Sequence, residues 1–144
     1  MDLLTRIKRR LKRKQVLWQH KQFRENPHEL ELKRLVSAAK SVLDLGCGPN
    51  PIEGATVAMD MFIDPRHRGG TDKIIPSDIE KRGIRFVNQN VDARLPFGDS
   101  EFDFAYSSHA VEHLEHPGAA CDEMMRVAKS GLVRCPAPMI EYMI

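Results

Sequence analysis

Two stretches of this chain hold residues whose types and spacing could do chemistry. The first is SVLDLGCGPNP, Ser41 to Pro51, an apolar run that ends in an acid and then breaks into Gly46, Gly48 and two prolines. A residue without a Cβ reaches positive φ at little cost and lets a ligand lie against the main chain. Something flat or extended is expected to rest there. The second stretch is HAVEHLEH, in which His109, Glu112 and His113 have the spacing H-x-x-E-H of one class of zinc proteases. On a helix His109 and His113 would share one face, and a third ligand would complete a catalytic zinc site. That class draws its third ligand from a distant part of a larger scaffold, and Glu141 is the only acid after Glu123. Zinc proteolysis is therefore set aside, and no metal is expected.

The elements that must position these residues follow from pattern. SVLDL, ATVAMD, IRFVNQ, FDFAYSS and LVRCPAP are short apolar runs bounded by turn residues and predict five strands. SDIEKRG and GAACDEMMRVAKS lie between them and predict helices. Alternating strands and helices argue for an α/β fold, a parallel sheet covered by helices. In such sheets ligands bind outside the carboxyl ends of the strands, which is where Gly46 and Gly48 fall.

Three nucleotide-type ligands compete for that loop. A phosphate-binding loop is excluded, because no Lys follows and two prolines remove amide donors. A dinucleotide fingerprint fits weakly, since Pro51 stands where its third glycine belongs. S-adenosylmethionine carries no phosphate and needs space, carboxylates for its hydroxyls and a slot for adenine. VLDLGCGPNP resembles the first motif of the class I S-adenosylmethionine-dependent methyltransferases, in a short form like the type 11 group. VAMD, NVDARLPFGDSEFDFAYSSHAVEHL and GLVRCPAP resemble the family's later strand regions in the family's order, so the resemblance covers about residues 41 to 138.

The resemblance implies a Rossmann-like open sheet of about five mostly parallel strands in the order 3-2-1-4-5, with helices on both faces. It implies that Gly46 and Gly48 line the methionine half of the cofactor and that Asp44 orders their loop. Asp60 would accept hydrogen bonds from both ribose hydroxyls, a task suited to a carboxylate with two oxygens. Asp92 would accept from the adenine amino group, and the amide of Ala93 would meet a ring nitrogen. The main chain at Ser107 and Ser108 would close the site. His109 would stand near the transferred methyl, either as a general base or as a wall of the pocket. Arg94, Phe97, His109 and the PAP loop after the fifth strand would rim the acceptor. The loop PNPIEGA is too short for the helix usual after the first strand. The sheet normally has seven strands and this chain stops at Ile144, so an exposed fifth-strand edge is expected, covered by the amino-terminal helices, a second copy or another partner.

The remaining expectations come from charge and composition. Residues 1–40 hold 12 Lys and Arg against 4 acids, a net +8, and residues 41–144 hold 10 against 16, a net −6. The chain is therefore read as a basic helical arm, 1–40, and a cofactor-binding core, 41–144. Pro27 breaks the arm into two helices. Residues 1–24 could meet RNA or an anionic membrane surface, while the acidic core favours a small-molecule, sugar or lipid-linked acceptor. Cys47, Cys121 and Cys135 show no metal-ligand pairing and no dense disulfide pattern. No apolar stretch approaches the roughly 20 residues that span a bilayer, and a cytoplasmic location is expected. A catalytically incomplete cofactor-binding or scaffold protein is the competing reading.

Overall fold

The computed structural model of the chain describes residues 27–61 and 73–135. The 1–24 segment and the PAP loop, to which the sequence reading assigned binding roles, lie outside the described residues. The chain divides into two compact units, Met1–Ser37 and Ala38–Ile144. In the first, helix α1 runs from Pro27 to Ala38. A proline opens it because the first helical N–H has no partner to lose. Glu31 and Arg34, one turn apart, pair through two hydrogen bonds of 2.9 and 2.7 Å.

The second unit is built on a five-stranded sheet in the order β3-β2-β1-β4-β5. Its strands are β1 (Val42–Leu45), β2 (Val57–Asp60), β3 (Arg85–Asn88), β4 (Phe104–Ser108) and β5 (Gly131–Arg134). All four pairings are parallel. Every residue of β1 and β2 is buried, as strands covered on both faces should be. The outer strands β3 and β5 are half-exposed. Among the described residues β5 pairs with β4 alone.

Two helices cover opposite faces. Helix α2 (Pro76–Glu80) sets Ile79 against Ala58 with Ile74 and Ile84. Helix α3 (Pro117–Val127) sets Ala120, Met124 and Val127 against Leu43, Leu45, Met59 and Ala105. The amino ends of β1 and β4 are tied together by Asp103. Its Oδ2 accepts from the backbone of Lys40 at 2.9 Å and Ser41 at 3.3 Å, while Lys129 Nζ donates to Oδ1 at 2.7 Å. These partners, Lys129 first, hold the Asp103 carboxyl down at about 2. With that end of the sheet fastened, the carboxyl ends are free to carry loops.

No helix follows β1: residues 49–56 form turns and bends, as the length of PNPIEGA requires. HAVEHLEH is not helical in the expected way. Pro117 keeps His116 out of the α region, at φ −127° and ψ 68°. Only a single 3-10 turn, Val111–His113, fits between β4 and α3. His109 and His113 therefore do not share a helix face, and the zinc-site spacing loses its geometric basis.

Candidate functional site

The carboxyl end of β1 turns sharply. Gly46 and Gly48 have φ of +68° and +62°, the left-handed region that side chains rarely enter. The amides of Gly46 and Cys47 both donate to Met59 O, at 2.8 and 3.3 Å, which folds the loop over the end of β2. A Cβ on Gly46 would come within 2.3 Å of Ala110 Cβ, the residue after His109. The space freed at Gly46 is taken by the loop after β4, so a ligand has only the other side of the glycine to approach. The bare backbone brings two loops together, a role the sequence did not disclose.

Two acids stand on one face at this end of the sheet. Asp60, at the end of β2, is 4% exposed, and its Oδ2 accepts from Gly48 N at 3.0 Å. Asp44 is equally buried, and its Oδ2 accepts from Ile52 N at 2.7 Å. Each carboxylate thus accepts from one backbone amide of the 46–52 loop. Burial pushes the Asp44 carboxyl up to about 6; the Ile52 amide opposes this, and the nearby charge of Asp60 adds to it.

This shift has a consequence for stability. An acid that binds its proton more tightly folded than unfolded contributes stability that is complete below its ordinary value of 3.8 and is lost as pH rises through about 6. Asp44→Asn keeps an oxygen for the Ile52 amide and removes the titration. Urea unfolding of the two proteins between pH 4.5 and 7.5 should show Asp44→Asn gaining on the wild type as pH rises, by about 2 kcal/mol across that range. Parallel curves across that range would contradict the buried titration. Asp103 and Glu123, both held near 2, act in the opposite sense, their contribution fading only as pH falls below about 4.

The third part of the site is the turn after β3. Asn90 Oδ1 accepts from Asp92 N at 2.9 Å, and Asn90 O accepts from Ala93 N at 3.4 Å. The Asp92 carboxylate reaches the segment before α3, where Oδ2 accepts from Glu115 N at 2.9 Å and Oδ1 from His116 N at 3.0 Å. Each oxygen keeps a second lone pair. Farther on, the Arg126 guanidinium donates to both oxygens of Glu123, to Asp99, and to the carbonyls of Leu95 and Phe97, at 2.7 to 3.1 Å. Glu123 also accepts from Leu95 N at 2.8 Å. Arg126, first among several partners, holds the Glu123 carboxyl down at about 2. Segment 92–99 is thereby clamped to α3 along its length. Sequence reasoning missed this clamp, although Glu123 and Arg126 carry a readable signal in their helical i, i+3 spacing.

At the end of β4, Ser107 is fully buried and its Oγ has no hydrogen-bond partner. Ser108 is partly exposed beside it. His109 is exposed and has φ of +52°, with its N–H donating to Arg134 O at 2.9 Å. Phe97 is not at a rim: it is 6% exposed and packs edge-on against Phe102 with ring centroids 5.0 Å apart. Burial in the core removes it from contact with an acceptor. Among the described residues, no three His, Cys, Asp or Glu side chains converge as a metal-ligand set.

Residues 43–133 match the family profile of the methyltransferase domain. The chain belongs to that family. It is the class I S-adenosylmethionine-dependent family that the motifs resemble, and the match takes in the glycine loop, both buried acids and β4. An uncharacterized methyltransferase of Mycolicibacterium vanbaalenii is 32% identical over 99 residues, covering 65% of this chain and 37% of the relative. One of Schizosaccharomyces pombe is 26% identical over 113 residues, covering 71% of this chain and 41% of the relative. The chain therefore spans about two fifths of the length of these methyltransferases. The crystal structure of the PH0226 protein from Pyrococcus horikoshii has the same fold, with a TM-score of 0.52 at 20% identity over 76% of this chain and 53% of that one.

Proposed function

We propose that this chain binds S-adenosylmethionine at the carboxyl ends of β1, β2 and β3 and directs its methyl group to an acceptor held beside β4. The observation that carries the reading is the buried Asp60 carboxylate at the end of β2, joined to the glycine loop through the Gly48 amide. The residues present fit the cofactor. A buried carboxylate suits vicinal hydroxyls, which donate to it in pairs. The loop with two positive-φ glycines exposes main chain in place of side chains, and the 90–93 turn offers the second lone pairs of the Asp92 carboxylate for adenine, with the Ala93 amide turned to Asn90 O.

When bound, the cofactor supplies a methyl group activated on a sulfonium, open to in-line displacement by an oxygen or nitrogen nucleophile. The chain's own part is positioning and exclusion of water, for which effective molarity is the main source of acceleration. Asp60 and Asp92 orient the nucleoside, Asp44 keeps the loop closed on it, and Gly46 and Gly48 admit the methionine half. Ala93, Ser107 and Ser108 contribute main chain around it. His109, exposed next to the Ala110 that meets Gly46, is assigned to the acceptor side.

The net −6 of residues 41–144 favours a small, sugar or lipid-linked acceptor over DNA or RNA. The reading is tested by incubating the protein and S-adenosylmethionine with fractionated small-molecule, lipid and RNA extracts and following S-adenosylhomocysteine. A product that rises with one small-molecule or lipid fraction is expected. Formation with RNA alone would overturn the acceptor class, and binding without turnover in any fraction would favour the scaffold reading.

A further inference from the structure

The proposed function leaves the placement of the Glu112 side chain unexplained. Both of its carboxylate oxygens are buried, and neither has a hydrogen-bond partner. A buried carboxylate left in that condition costs folding free energy, so a reason for keeping it is wanted. Three groups face it. His109 Nδ1 lies 3.6 Å from Oε1, and His113 Nε2 lies 3.9 Å from the same oxygen. The Cys135 thiol faces it without completing a hydrogen bond of good geometry; burial, with the Glu112 charge, keeps that thiol protonated.

The two histidines differ in how they are held. His113 is 75% exposed on the short 3-10 turn. His109 keeps a left-handed backbone at φ +52°, which is uncommon for a residue with a side chain. It is fixed there by the hydrogen bond that its N–H donates to Arg134 O and by the seat of Ala110 on Gly46. Non-glycine residues held in this way cluster at functional sites. A small rotation of the His109 or Glu112 side chain would close 3.6 Å to hydrogen-bond distance, which a bound ligand commonly does.

We propose that Glu112 is a positioning residue for His109, its carboxylate accepting a hydrogen bond from Nδ1–H and so leaving Nε2 as the proton acceptor on the acceptor side of the site. The inference rests on the proposed function, since it gives His109 a proton to take. The step is a proton transfer: the acceptor's O–H or N–H bond breaks, the proton ends on Nε2, and the electron pair stays on the acceptor atom. The positive imidazole so formed is offset by the Glu112 carboxylate. This is the arrangement in which a carboxylate fixes the tautomer of a histidine base.

The test reads the imidazole directly and needs no acceptor. Long-range nitrogen–proton correlation spectra of the full chain, labelled at histidine and recorded near pH 8, report which ring nitrogen carries the proton. His109 in the wild type should be the Nδ1–H tautomer, with His116 close to the Nε2–H preference of free histidine. Glu112→Ala should return His109 to that preference. Glu112→Gln, whose amide oxygen still accepts, should retain the wild-type tautomer but lose several-fold in the rate at which diethyl pyrocarbonate acylates His109. A merely structural Glu112 would change the melting temperature and leave both readouts alone, and that result overturns the proposal, as would a tautomer change confined to His113. Titration with S-adenosylhomocysteine, run on the same samples, separates the two claims. Binding with an unaltered His109 removes only the role of Glu112, whereas a tautomer effect without binding removes the cofactor reading.

Discussion

Gly46→Ala should lower the thermal midpoint by about 8 °C or more and abolish measurable cofactor binding. Two separate costs add. The residue must hold φ of +68°, which for a side-chain-bearing residue costs about 1–2 kcal/mol. Its Cβ would also sit 2.3 Å from that of Ala110, and relieving such overpacking by backbone movement costs about 1–3 kcal/mol. In a domain of this size each kcal/mol is about 4–8 °C. Two controls divide the sum. Gly83 has φ of +78° with nothing near its missing Cβ, so Gly83→Ala should show the conformational cost alone. Ala110→Gly added to Gly46→Ala should recover the steric part, giving a coupling of about 1–3 kcal/mol in a double-mutant cycle. Additive effects at positions 46 and 110 would mean that the two loops do not touch as described.

The second large effect concerns Asp60. Asp60→Ala should weaken binding of S-adenosylhomocysteine by about 2–4 kcal/mol, roughly 30- to 1,000-fold, the worth of one or two charge-assisted hydrogen bonds. The same change leaves the Gly48 amide without the carboxylate it meets at 3.0 Å, so loop disorder could imitate lost recognition. Asp60→Asn separates the two. Its amide oxygen still takes the Gly48 proton, but it is uncharged and has one acceptor oxygen in place of two. It should melt close to the wild type and yet bind at least about tenfold more weakly. Equal affinity of Asp60→Asn and wild type would show that the carboxylate serves the loop and not the ligand.

The sheet and the site differed in how far they could be read from sequence. Four of the five strands lie within the apolar runs that predicted them, β5 begins one residue before its run, and both predicted helices formed within three residues of their expected starts. Four-residue strands buried on both faces leave little freedom in sequence. The glycine loop was legible for the same local reason. The contacts that position the site were not legible, because they join residues far apart in the chain. Nothing near Gly46 in sequence names Ala110, and nothing near Asp92 names the amides of Glu115 and His116. HAVEHLEH misled because its spacing fits a helix; Pro117 and the left-handed His109 prevent one. Phe97 was expected at the rim of the acceptor site, yet it packs edge-on against Phe102 within the core cluster that α3 covers.

Isothermal titration of the wild-type chain with S-adenosylhomocysteine tests the central claim most directly. Saturable binding with one site per chain is expected, reduced in Asp60→Asn while the melting temperature holds. A folded wild-type chain that takes up no S-adenosylhomocysteine would contradict it, and the buried acids and glycine turns at the end of this sheet would then be architecture without a ligand.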